Sequence, residues 1–170
     1  TSLTIPTHTN FLSESIGGVN YNFVTINPIT ENTDLANNTV IFKDVEIKQG
    51  ITIEKQFTVD STVNPSTRFE LPDSNIDTST ILIYVAESST NSQLFVYSYA
   101  QNYLELDGTS EVYFLNETLN GTYEVYFGDG VIGKPLKDGN IVIISYIVTQ
   151  GTAAAGANNF VMMDYLPGFT

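Results

Sequence analysis

Cysteine and tryptophan are absent from this sequence, histidine occurs once, methionine twice, and lysine and arginine together only six times. Without cysteine there are no disulfides, no thiolate chemistry and no cysteine-ligated zinc. The single histidine, His8, stands beside Pro6 and Thr7 near the start of the chain. One imidazole cannot build a histidine-rich metal site, and Ser/His/Asp catalysis would rest entirely on it. His8 is therefore read as an incidental residue of the terminus. Six basic residues against 19 acidic ones give a formal charge of −13. Cations this sparse cannot make the Lys/Arg footprint that phosphate binding needs, which argues against nucleic acid and anionic membrane surfaces as partners. No apolar run approaches the roughly 20 residues of a membrane-spanning helix. The lack of tryptophan weakens a carbohydrate-stacking platform, although ten tyrosines keep one available. The chain opens Thr1-Ser2-Leu3, with neither an initiator methionine nor a signal-peptide pattern, and is read as a fragment of a longer chain or a processed product.

What is present points to β structure. Threonine occurs 21 times, asparagine 16 times, and tyrosine and phenylalanine ten times each among 170 residues. Threonine and the aromatics suit a pleated surface, and asparagine with glycine punctuates turns. The clearest alternation is Ile51–Val59: Ile51, Ile53, Phe57 and Val59 share one face, and Thr52, Glu54, Gln56 and Thr58 the other. Further strands are expected at Asn20–Thr25, Val40–Ile47, Arg68–Leu71, Ile81–Ala86, Leu94–Tyr99, Glu111–Leu115, Tyr123–Phe127 and Ile141–Thr149. Both alternating sets of Ile141–Val148 are largely apolar, as in a strand covered on two sides. The predicted class is mainly β, with antiparallel sandwich- or barrel-like domains and little helix.

Composition suggests an N-terminal β segment over 1–60, a main antiparallel β domain over 61–150, and a linker plus C-terminal segment over 151–170 that packs on a neighbour. Within the last piece, Val161, Met162, Met163, Tyr165, Leu166 and Phe169 form a candidate interface.

The densest motif is the stretch 123–146, where two apolar strands flank Gly128-Asp129-Gly130, Gly133, Pro135 and a second turn at Asp138-Gly139-Asn140. Three chemistries suggest themselves and each lacks partners. The Asp-Gly pairs do not carry the alternating oxygen ligands and closing glutamate of a calcium loop. They do match tight hairpin turns, where glycine supplies φ > 0. The nominal G-x-G-x-x-G from Gly128 to Gly133 follows a strand, but Lys134-Pro135 stands where a phosphate-binding helix must begin. Carboxylate pairs can always be drawn from 19 acidic residues, so choosing one is uninformative. No catalytic, cofactor-binding or metal-ligating residue is assigned, and the motif reads as structural turn chemistry.

The ordered series Tyr-Glu-Val-Tyr-Phe-Gly-Asp-Gly-Val-Ile-Gly-Lys-Pro-Leu over 123–136, with Gly139-Asn140, Ile143, Tyr146, Thr149, Gly151 and Ala157-Asn158, resembles the baseplate J-like family. Ile5-Pro6, Phe11, Tyr21, Phe23, Thr25 and Arg68-Phe69-Glu70-Leu71-Pro72 are similar to it more loosely. The resemblance implies a structural, non-enzymatic subunit of a contractile-tail phage baseplate wedge that links neighbouring subunits into the baseplate ring. It further implies other baseplate wedge proteins as partners, a homo-oligomer such as a dimer, and a place in the virion tail after assembly in the host cytoplasm. The alternative from residues alone is an extracellular or tail-fibre β-type binding module that recognises a surface glycan or receptor.

Overall fold

The computed structural model describes residues 2–91 and 93–166. Thirteen strands are found among them: β1 Ser2–Ile5, β2 Asn10–Ser13, β3 Asn22–Thr25, β4 Ile29–Asn32, β5 Ile47–Gln49, β6 Ile51–Thr58, β7 Phe69–Leu71, β8 Ile76–Ala86, β9 Leu94–Tyr99, β10 Val112–Glu117, β11 Tyr123–Phe127, β12 Ile141–Val148 and β13 Phe160–Met162. Among the described residues helix is limited to two short 3-10 turns, Tyr103–Glu105 and Gly151–Ala154. The mainly β expectation is met.

Two compact units form, one from Thr1–Thr52 with Val148–Thr170 and the other from Ile53–Ile147. The division differs from the sequence-based segments 1–60, 61–150 and 151–170, because the chain after β12 returns to the N-terminal strands. Within the first unit β1 pairs with β4, and β13, β2, β3 and β5 form a four-stranded antiparallel sheet in that order. Its buried polar knot is made by two threonines. Thr25 Oγ1 donates to the Pro6 carbonyl at 2.7 Å and accepts the Thr9 N–H at 3.0 Å, while Thr9 Oγ1 donates to the same carbonyl at 2.8 Å. Every buried donor there thus has an acceptor, which a buried hydroxyl requires. The strand expected at Val40–Ile47 is largely absent, and only Ile47 belongs to β5. Asp44 has φ 53° and Asn38 φ 51°, a left-handed backbone that no extended ladder accommodates.

The second unit carries a seven-stranded sheet in the order β6-β12-β8-β9-β10-β11-β7. Its two terminal strands meet through Phe57 and Phe69, whose ring centroids lie 4.9 Å apart, so the sheet curls nearly to closure. Phe69, Phe127 and Tyr97 continue this series of rings at 6.0 and 5.5 Å, edge-to-face, as aromatic quadrupoles prefer. Strand β12 lies inside the sheet, between β6 and β8. Val142, Ile144 and Tyr146 are fully buried, and Ile141 and Ile147 nearly so. The doubly apolar pattern of this strand is therefore satisfied within the protein's own core. Strands β9 and β10 pair in parallel. A parallel pair needs a crossover connection, and residues 100–111 supply it.

Burial in this sheet has a pH consequence. Desolvation, with Tyr99 adding to it, pushes the Tyr113 phenol from 10.0 up to about 12, and its hydroxyl lies 3.4 Å from the Ile81 carbonyl. In the unfolded chain the same phenol ionises first, so between pH 10 and about 12 the unfolded state binds fewer protons. Stability is then fully present below pH 10 and falls as pH rises through the folded value. Chemical denaturation at pH 9 and pH 11 should show a drop in unfolding free energy that is smaller in Tyr113→Phe. An equal drop in both proteins would remove Tyr113 from the cause.

Candidate functional site

The Gly128–Lys134 segment is a clasp rather than the hairpin turn expected from its composition. Strands β11 and β12 are not neighbours in the sheet, so residues 128–140 cross from one strand to the other. Five consecutive backbone N–H groups in the clasp are bonded. Gly130 donates to the Gly133 carbonyl at 3.0 Å, Gly133 to Asp107 at 2.8 Å and Lys134 to Ser110 at 2.8 Å. Val131 and Ile132 both donate to Asp129 Oδ1 at 2.9 Å. Gly130 and Gly133 take φ of 91° and 82°, a region that glycine enters at little cost. At Gly128 the reason for glycine is different: a Cβ there would collide with the backbone of Gly133.

A second turn, at 107–110, docks on this clasp. A Cβ on Gly108 would strike the Gly130 carbonyl, so the two loops approach backbone to backbone. Asp107 Oδ1 accepts from the Thr109 hydroxyl at 2.7 Å and from the Thr109 N–H at 2.8 Å. These donors hold the Asp107 carboxyl below the usual range, with the Ser110 hydroxyl assisting. The N–H groups of Ile132 and Val131 do the same for Asp129. Lys134 Nζ donates to Glu111 Oε1 at 2.7 Å, which raises the lysine pKa. Pro135 lies beside Gly130, with its Cγ 3.8 Å from where a Cβ would stand. The sequence marks Asp107-Gly108 as a turn but carries no signal that it packs against Gly130.

The turn at Asp138-Gly139-Asn140 anchors elsewhere. Both carboxylate oxygens of Asp138 are engaged by Ser61, from its N–H at 2.7 Å and its hydroxyl at 2.8 Å. Gly139, at φ 87°, donates its N–H to the Val59 carbonyl at 2.9 Å. The Asn140 amide donates to the Glu87 carbonyl at 3.0 Å while its oxygen accepts the Lys137 N–H at 2.8 Å. The aspartates of both turns bind backbone and hydroxyl groups of their surroundings, which is positioning rather than proton transfer. Among the described residues no group of three or more His, Asp or Glu gathers in a way that could hold a metal ion.

The candidate interface divides. Val161, Met163 and Tyr165 are 64%, 58% and 74% exposed, whereas Leu166 is buried. Met162, Tyr165 and Leu166 line a cavity of about 340 Å³ with Leu3, Val40, Phe42 and Asp164. Phe169 lies outside the described residues. Strand β13 is the end strand of its sheet. Glu14 N–H donates to the Asn159 carbonyl at 3.0 Å and Met163 N–H to the Asn10 carbonyl at 2.8 Å. With Val161 opposite Leu12, this alternation turns the N–H and C=O groups of Phe160 and Met162 away from β2.

The sequence profile of the family described as "Bacteriophage baseplate wedge protein gp6, third domain" matches residues 55–166. The chain belongs to the gp6 baseplate wedge family. It is also similar to the baseplate wedge protein gp6 of Enterobacteria phage T4, with 27% identity over 185 aligned positions that cover 99% of this chain and 26% of the T4 protein. The chain thus spans about a quarter of that relative's length. The gp6 match takes in the clasp, the 107–110 turn and strand β13 together.

Proposed function

We propose that this chain is a structural module of a contractile-tail phage baseplate wedge that links neighbouring subunits into the baseplate ring, without an enzymatic role. The observation that carries the reading is the gp6 wedge match across residues 55–166. Its partners are other baseplate wedge proteins and a second copy of itself, and its place is the virion tail, with assembly in the host cytoplasm. The C-terminal segment supports contact with a second copy. An antiparallel strand centred on Val161 would satisfy the outward N–H and C=O groups of Phe160 and Met162 in one step, and it would bring the exposed Val161 side chains face to face. Met163 and Tyr165 extend the apolar surface beside it. No charged side chain guards the edge between Phe160 and Met163, in contrast to the way sheet edges are usually blunted.

The test uses the full-length parent protein. Val161→Lys combined with Met163→Lys places like charges opposite each other and should weaken self-association by about tenfold or more, read by sedimentation equilibrium. In the phage, rings should be incomplete by electron microscopy. Unchanged association and normal rings would sink the edge as an interface.

A further inference from the structure

We propose that the glycine clasp at 128–134 is a rigid docking knob that inserts Val131 and Ile132 into an apolar pocket, rimmed by lysine or arginine, on another wedge protein. The choice of a wedge partner rests on the baseplate reading above. Val131 is 74% and Ile132 40% exposed. A single exposed valine needs no explanation, but the scaffold beneath these two is unusual for a surface loop. Loops are ordinarily the mobile, polar parts of a domain. This one has every N–H from Gly130 to Lys134 bonded, and it rests on a second turn too close to Gly130 to admit a side chain at Gly108. The fold therefore holds two β-branched apolar side chains in solvent on a backbone with little freedom left to lose. Such preorganisation lowers the entropic cost of binding, and a small rigid apolar anchor in a pocket is the usual energetic centre of an interface.

Charge decides the partner's rim. The exposed carboxylates at the base of the knob are Asp129 and, across the clasp, Asp107. Each is held ionised by N–H and hydroxyl donors of its own turn. The nearest cation in the clasp, Lys134, is committed to Glu111 at 2.7 Å. A partner meeting this surface finds an apolar tip flanked by negative charge, and a complementary site carries cations around an apolar hollow. A second knob is poorly suited as the receiving site, because it presents the same two exposed carboxylates, Asp129 and Asp107, while the second copy proposed above meets the chain at strand β13 instead.

The deciding experiment places a photo-cross-linker in the full-length parent protein, Val131→p-benzoylphenylalanine, and irradiates infected cells during baseplate assembly. The expected product is a covalent adduct to a different wedge protein, mapped by mass spectrometry to an apolar segment flanked by Lys or Arg. Val131→Ser, at the more exposed of the two side chains, should leave the melting temperature nearly unchanged while lowering incorporation of the protein into wedges by about tenfold or more. An adduct to a second copy or to another part of the same chain overturns the proposal, as does the absence of any adduct in baseplates that contain the protein. If the protein is absent from baseplates altogether, the wedge reading itself falls.

Discussion

Gly128→Ala is expected to destabilise the second unit by about 3 kcal/mol or more, a single methyl acting as severely as a large core deletion. The added Cβ would overlap the carbonyl carbon and oxygen of Gly133. Neither group can retreat, because the Gly133 carbonyl accepts from Gly130 and its N–H is tied to Asp107. Gly133 is itself hemmed in, since a Cβ there would stand 3.0 Å from Val112 Cγ2. The clasp must open as a whole, releasing the five N–H bonds from 130 to 134 at once. For a unit of this size the midpoint of thermal unfolding should fall by about 12 °C or more, which circular dichroism would record. Gly130→Ala provides the contrast. Its Cβ would meet nothing nearer than Pro135 Cγ at 3.8 Å, so only the left-handed backbone penalty of about 1–2 kcal/mol remains. Gly130→Val should cost more than Gly130→Ala, because a β-branched side chain resists φ of 91°. If the Gly130→Ala protein melts lower than Gly128→Ala, close backbone approach is not what selects glycine at 128.

That contrast marks where the sequence was legible. Strand β11 falls at Tyr123–Phe127 and β9 at Leu94–Tyr99, as their residues predict, because both lie in the curled sheet where apolar alternation is imposed by a core. The wet face of Glu54, Gln56 and Thr58 is legible for the same reason, but at the start of the strand the expectation fails, since Ile51 is exposed and the Thr52 hydroxyl is buried. Strands β1, β2 and β4 carry no such periodicity. Ser2–Ile5 and Ile29–Asn32 are short and half exposed, and they exist because they pair with each other across 24 residues or more. Propensity cannot report a partner that distant. Strand β8 begins at Ile76, earlier than its apolar part suggests, since Asp77, Thr78 and Ser79 are extended but lie largely at the surface. The candidate site shows the same division. Glycines needing φ > 0 at 130 and 139 are written in the Asp-Gly pattern, whereas Gly133, at φ 82° after Ile132, is not. Gly128 and Gly108 are glycine because of what approaches them in space. Val131 and Ile132 carry no signal of their own in the sequence, and only the bonded backbone beneath them distinguishes them.

Tyr146 carries the other large expected effect. It sits in β12 with no exposed surface, and its hydroxyl donates to Asp73 Oδ2 at 2.6 Å. Two substitutions separate packing from hydrogen bonding. Tyr146→Phe keeps the ring and removes the bond, leaving a carboxylate without its donor. A bond to a charged acceptor is worth about 1.5–3 kcal/mol, and the loss should fall in that range. Tyr146→Ala also empties the space of a fully buried large side chain, so its cost should reach about 3–5 kcal/mol. Combining Tyr146→Phe with Asp73→Ala tests the pairing directly. If the bond is the cause, the second change should add much less in the Tyr146→Phe background than it costs alone. Burial first, then the Asp73 hydrogen bond and charge, raise the Tyr146 pKa above its ordinary value of 10.0. The folded protein therefore retains this proton in a range where the unfolded chain has lost it, and stability declines as pH rises above 10. Tyr146→Phe should flatten that alkaline decline beyond the change made by Tyr113→Phe. Additive losses in the double variant, with the alkaline slope unaltered, would show that ring packing alone makes Tyr146 important to β12.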